Sequence, residues 1–114
     1  MLLKVLSAAN AGLNTMKVDV EVNVANRGLP GFEIVGLASK AVEESKERVR
    51  AAILNSGLEF PSRKITVNLA PADVKKAGSH FDLPIAISYL LASEQIKPFD
   101  CGNKVFVGEL SLDG

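Results

Sequence analysis

Ser79, His80 and Asp82 lie within four consecutive positions and supply the three side-chain types of a hydrolase triad. In a triad the base is hydrogen-bonded between the nucleophile and the acid, and neighbours at the start of a helix point in different directions. The same loop holds two lysines and a glycine, but the sequence lacks the Gly-x-x-x-x-Gly-Lys-Ser/Thr spacing of a P-loop. The residue types favour a loop that starts a helix, with Ser79 or Asp82 as its cap.

Composition limits the other kinds of site. The chain has one histidine and one cysteine, Cys101, so neither a metal cage nor an internal disulfide is expected. Thirteen basic and thirteen acidic residues cancel, so any contact with nucleic acid requires a local basic patch. The candidates for contact with nucleic acid or another subunit are Lys75, Lys76 and His80 in the loop, and Arg63 and Lys64 before it. Exposed lysines that only maintain solubility are the alternative.

Alternating apolar residues predict the strands. Val18, Val20, Val22 and Val24 alternate with polar residues, which is typical of a strand with one buried face. Similar patterns predict strands at residues 2–8, 32–35 and 64–69. The segment "KVFVGEL" predicts a final strand inside the sheet.

Two segments predict helices. Between residues 39 and 57, Ser39 is a candidate N-cap, Val42, Val49 and Ile53 form an inward stripe, and Glu44 and Arg48 form an exposed i,i+4 pair. The second helix, "DLPIAISYLLASEQ", is apolar nearly all round and is expected to be buried, with Pro84 in its first turn. Its predicted core residues are Leu83, Ile87, Leu90 and Leu91. The order βββαβαβ predicts one α+β domain, residues 1–114, with two helices on one face of a mixed sheet.

The segments "GLPGFEIVGL", "RVRAAILNSGLEFP", "KITVNLAPADVKKAGSHFDLPIAI" and "VGELSLDG" resemble the N-terminal domain of the ComM/YifB family, the magnesium-chelatase-like proteins. The resemblance covers essentially the whole chain. It implies the fold of ribosomal protein S5 domain 2, which the proteolytic domain of Lon shares. It also implies that an AAA+ ATPase module follows, so the chain is expected to be the N-terminal fragment of a longer protein.

The resemblance also bears on Ser79. In Lon-type proteases the corresponding loop reads Gly-Pro-Ser-Ala-Gly, and aligning its first glycine with Gly78 places the nucleophile at His80. Ser79 is one position early, and one residue turns a side chain by about 100° at a helix start. We therefore expect no catalytic residue, no metal and no cofactor in this fragment.

For the full-length protein the resemblance implies ATP and magnesium as cofactors, a hexameric homo-oligomeric ring, possible DNA contact and a cytoplasmic location without membrane association. Relatives are associated with DNA branch migration during natural transformation, which favours DNA contact by the basic candidates. Two alternatives stay open: a divergent Ser-Lys peptidase, and part of a magnesium-chelatase ATPase subunit.

Overall fold

Four strands form one mixed sheet, and the helices cover one of its faces. The computed structural model describes residues 2–11 and 13–114. The strands are β1 (Leu2–Ala11), β2 (Asn14–Ala25), β3 (Gly31–Val35) and β4 (Lys64–Ala70), in the spatial order β1-β2-β4-β3. The helices are α1 (Lys40–Glu43), α2 (Ser45–Asn55) and α3 (Asp82–Ala92). The β1–β2 and β2–β4 pairs are antiparallel, whereas β3 and β4 are parallel and are joined through α1 and α2.

The valine alternation of β2 sets the inner face of the sheet, as predicted. Val18, Val20 and Val22 are completely buried, and the register places Val20 opposite Leu69 of β4. The polar residues between the valines lie on the other face. The core therefore lies between this face and the helices.

The helical predictions are confirmed in part. Ser39 caps α1 by accepting a hydrogen bond from the Val42 amide at 3.4 Å, and Val42, Val49 and Ile53 are buried. The predicted first helix is interrupted at Glu44, which separates α1 from α2. In α3 Pro84 falls in the first turn.

The predicted core of α3 is only partly confirmed. Leu90 and Leu91 are buried, whereas Leu83 and Ile87 are only partly buried. Leu83 and Ile87 are four positions apart and therefore share one face of the helix. The other residues of α3 are buried. The overall expectation of a buried, apolar second helix holds.

The prediction of a final strand inside the sheet is wrong. Residues 104–112, here called the strap, pair with β1 only through an isolated bridge between Val105 and Leu6, on the outer edge of the sheet. Beyond that bridge the Gly108 amide donates to the His80 carbonyl at 2.9 Å, and the Leu83 amide donates to the Gly108 carbonyl at 3.0 Å. The backbone of the strap therefore turns to the start of α3, and β1 remains the edge strand.

Among the described residues, no helix combines the length and apolar character that crossing a bilayer requires.

Candidate functional site at the two ends of the fourth strand

The predicted site residues flank β4. Arg63 and Lys64 lie at its start, and the loop of residues 71–81, here called the β4–α3 loop, follows its end. Seven strand residues span about 20 Å at roughly 3.3 Å each, so the two groups occupy opposite ends of the domain. The structure does not bring them together.

Lys76 was predicted to be an exposed charge, and this prediction is wrong. Its side chain is completely buried, and Nζ donates to the carbonyl oxygens of Gly36, at 2.8 Å, and of Pro71. Its backbone also bonds to the segment between β3 and α1, at Leu37 and Ser39. Burial lowers the pKa of Lys76, and the nearby Asp73 carboxylate opposes that shift. Lys76 thus fastens the β4–α3 loop to the end of β3 and cannot reach a nucleic acid or another subunit.

Gly36 makes the lysine contact possible. Its φ of +112° lies in the region that favours glycine, and a Cβ there would lie 2.2 Å from the Leu69 carbonyl oxygen. No side chain fits against that backbone atom. The close approach of the two segments brings the Gly36 carbonyl within reach of Lys76.

His80 is half-buried and fastens the loop to β1. Its Nε2 lies 2.8 Å from the carbonyl oxygen of Ala8, which can only accept, so Nε2 carries the proton. The ring packs against Phe81, with centroids 4.2 Å apart. His80 also lines a small cleft together with Ala9, Asn10 and Val107. His80 therefore has a structural partner in β1.

Neither Ser79 nor Asp82 caps α3, so that prediction is wrong. The N-cap position falls on Phe81, and no side chain bonds to the first-turn amides. Within the part of the chain that the structure describes, no hydrogen bond joins the Ser79 hydroxyl to a lysine or histidine, and its carbonyl accepts from the Asp82 amide at 3.3 Å. The three residues of the triad hypothesis do not form a hydrogen-bonded chain.

Asp82 is instead the centre of a buried ion pair. Its carboxylate is completely buried and accepts from Arg48 twice, from Nε at 2.6 Å and from Nη2 at 3.1 Å. It also accepts from the Leu110 amide of the strap at 3.1 Å. Arg48 donates further to the Ala41 carbonyl at 3.1 Å and the Ser45 hydroxyl at 3.3 Å. The exposed Glu44–Arg48 pair that helical spacing predicted does not form, because Arg48 turns inward to Asp82.

This ion pair joins α1, α2, α3 and the strap at one point. The hydrogen bond with the Asp82 carboxylate raises the pKa of Arg48, so the guanidinium stays charged. No local sequence pattern predicts this pair, because its members are 34 positions apart.

At the other end of β4, Arg63 is exposed and borders a cleft of about 400 Å³. Lys46 and Arg50, one helical turn apart on α2, line the same cleft, as does Glu47. Lys64 is also exposed but opens onto a separate cleft beside Leu29 and Glu33. Sequence reasoning missed Lys46 and Arg50, although their i,i+4 spacing on one helix was visible in the sequence.

Lys75 is exposed in the β4–α3 loop. Of the five predicted contact residues, Lys75, Arg63 and Lys64 are therefore exposed, His80 is half-buried and Lys76 is inaccessible. Among the described residues no three histidine, cysteine or carboxylate side chains cluster closely enough to hold a metal ion.

The fold and the site thus define an α+β domain with helices on one face of a mixed sheet and a hydrogen-bonded loop at the end of its fourth strand. Residues 20–114 match the family model described as subunit ChlI of Mg-chelatase, and the chain belongs to that family.

Three relatives place the chain within this family. It is 50% identical over 106 residues to the uncharacterized protein YifB of Salmonella typhimurium, covering 93% of this chain and 21% of the relative. It is 47% identical over 110 residues to the competence protein ComM of Haemophilus influenzae, covering 96% of this chain and 21% of the relative. An uncharacterized protein of Mycobacterium bovis is 40% identical over 112 residues, covering 97% of this chain and 22% of the relative. The chain therefore spans about a fifth of the length of these relatives.

Proposed function

We propose that this chain is a non-catalytic N-terminal module, with the fold of ribosomal protein S5 domain 2, of a ComM/YifB-type AAA+ ATPase. The observation that carries the proposal is that the polar side chains of the β4–α3 loop and of the start of α3 bond within the fold. The Asp82 carboxylate bonds to Arg48, His80 to the Ala8 carbonyl and Lys76 to two carbonyls, and among the described residues no hydrogen bond joins the Ser79 hydroxyl to a base. Groups held in this way stabilise the fold and are not free for proton transfer.

In the longer protein we propose that the module aids ring assembly, DNA contact or both, during DNA branch migration in natural transformation. The relationship to a protein named for competence supports this role. The same proposal gives the whole protein ATP and magnesium as cofactors, a hexameric ring and a cytoplasmic location. Sedimentation of the longer protein with and without residues 1–114 tests the assembly role: an unchanged ring would remove it.

A serine-reactive phosphonate probe tests the absence of peptidase activity. We expect no covalent labelling of the chain and no cleavage of an unfolded protein substrate, since no hydrogen bond within residues 2–11 and 13–114 joins the Ser79 hydroxyl to a lysine or histidine. Ser79→Ala is the matched control. Labelling that disappears in Ser79→Ala would establish the peptidase alternative.

DNA contact is tested by fluorescence anisotropy with two oligonucleotides of unrelated sequence over a range of salt concentrations. We expect similar affinities for both, falling as salt rises, because phosphate contacts are independent of sequence. Lys75→Ala, compared with the control Lys97→Ala at another exposed position, tests whether the loop takes part. An affinity that does not change with salt concentration, or the absence of binding, would contradict the DNA role.

The family description favours a second candidate, part of a magnesium-chelatase ATPase subunit. It predicts that the longer protein supports ATP-dependent insertion of magnesium into a porphyrin when the partner subunits are added. Stimulation of its ATPase activity by DNA, without porphyrin metallation, would favour the first proposal.

A further inference from the structure

The cleft at the start of β4 combines cations with aromatic rings, and no function has so far been given to it. Lys46 and Arg50 line it from α2, and Arg63 lines it from the segment before β4. Phe32 and Phe60 also line it; both are partly buried, their ring centroids lie 5.6 Å apart, and the Phe60 ring packs against Tyr89 at 4.7 Å. We define these five lining residues as the aromatic–cationic cleft.

The cations of the cleft retain free donors. Within the described ranges the Arg50 side chain takes part in no hydrogen bond or ion pair, and the Arg63 side chain uses one nitrogen to reach the Asn26 side chain at 2.8 Å. Lys46 is paired with Glu43 at 2.9 Å, so the two arginines offer most of the available donors. Arginine presents its N–H groups in a planar fork that matches phosphate oxygens.

The rings limit what else the cleft can bind. An acidic peptide would use only the cations, whereas a nucleotide also offers a base, and every base has a face that stacks on an aromatic ring. A volume of about 400 Å³ lies in the usual range of about 300–1,000 Å³ for small-ligand sites, which suits one unpaired nucleotide. A duplex keeps its bases stacked inside and cannot place one against Phe60.

We propose that the aromatic–cationic cleft binds one nucleotide of single-stranded DNA, with its base on the Phe32 and Phe60 rings and its phosphates on Arg50 and Arg63. This inference rests on the proposed DNA contact and places it on a specific surface. That surface is the end of the domain opposite the β4–α3 loop. Arg63, but not Lys75, belongs to it.

Anisotropy with a fluorescein-labelled oligothymidylate tests the phosphate contacts. We expect Arg50→Ala/Arg63→Ala to weaken binding about tenfold and to reduce the log–log salt slope by about 1.4, since each single-strand phosphate contact contributes about 0.7. The control Lys4→Ala/Lys17→Ala removes the same charge from exposed positions on β1 and β2 and should leave the slope unchanged. Equal losses in both double variants would show non-specific charge attraction and overturn the proposal.

Phe60→Leu separates stacking from charge. It should weaken binding about fivefold or more, as expected for loss of one stacked base, without changing the salt slope. Thermal unfolding checks that the variant is folded. If Phe60→Leu binds oligothymidylate normally while the arginine variant loses both oligothymidylate and polyglutamate, the cleft is a site for an acidic protein.

Photo-crosslinking locates the base directly. Oligonucleotides carrying 5-iododeoxyuridine should crosslink to the tryptic peptide of residues 51–63 or that of residues 28–40, which contain Phe60 and Phe32. Crosslinks only elsewhere would overturn the cleft but leave the DNA role intact. A wild-type chain that binds no DNA at low salt would remove both.

Discussion

The buried ion pair between Arg48 and Asp82 should be among the largest single contributions to the stability of this domain. Arg48→Ala removes both hydrogen bonds to the Asp82 carboxylate and those to Ala41 and Ser45. Asp82 would then remain buried with only the Leu110 amide as a partner. Breaking a buried pair from one side generally costs about 3–5 kcal/mol, and partial exposure of Arg48 favours the lower end.

A loss of about 3 kcal/mol is a large share of the roughly 5–15 kcal/mol that stabilises a typical domain. It corresponds to a fall in the unfolding midpoint of about 12 °C or more. Urea denaturation followed by circular dichroism measures the free energy of unfolding. Arg50→Ala is the matched control, since it removes the same side chain two positions away and Arg50 is exposed; it should change stability by about 0.5 kcal/mol or less.

A double-mutant cycle with Asp82→Asn isolates the pair. We expect the two changes together to cost clearly less than the sum of the single changes, because each alone leaves a buried polar group without its partner. Additive effects, or an Arg48→Ala variant as stable as Arg50→Ala, would refute the reasoning.

Three further predictions concern the core and the loop. Gly36→Ala should strongly lower the free energy of unfolding in the urea assay, since the new Cβ meets the Leu69 carbonyl and the φ is positive. Leu90→Ala should cost about 2–5 kcal/mol in the same assay, and near-wild-type stability would contradict its burial in α3. Lys76→Met should be less stable than wild type, because two carbonyls lose a donor. Since the folded pKa of Lys76 is lowered, the wild-type chain should gain stability over Lys76→Met as pH rises from that pKa towards 10.5; a difference independent of pH would contradict the shift.

The sequence predicted the elements well and their polar partners poorly. Valine alternation in β2 needs only local information, since it follows from the two-residue period of a strand. One partner of Lys76, the Gly36 carbonyl, lies 40 positions earlier, and the partner of Arg48 lies 34 positions later; no local pattern encodes such distances. Arg48 has helical spacing to Glu44, but the deeper pairing with Asp82 prevails because a buried carboxylate requires a compensating charge.

The error over the strap has the same origin. Residues 104–110 have the composition of a strand, yet two of their backbone amides bond to groups near the start of α3 and not to a neighbouring strand. The Leu110 amide bonds to the Asp82 carboxylate and the Gly108 amide to the His80 carbonyl. The Gly108 carbonyl also accepts a hydrogen bond from the Leu83 amide in the first turn of α3, a helix that has no side-chain cap.

The distribution of satisfied and unsatisfied polar groups indicates where this domain can act. In the β4–α3 loop and at the start of α3, the residues whose types suggest chemistry are mostly engaged: Lys76, His80 and Asp82 all bond within the fold. To take part in a reaction, such a side chain would have to break the hydrogen bonds that stabilise the fold. At the opposite end of β4, Arg50 and Arg63 keep donors free beside the partly buried rings of Phe32 and Phe60. The groups at the start of α3 and in the β4–α3 loop therefore stabilise the fold, whereas the start of β4 is where we propose that the domain binds a partner.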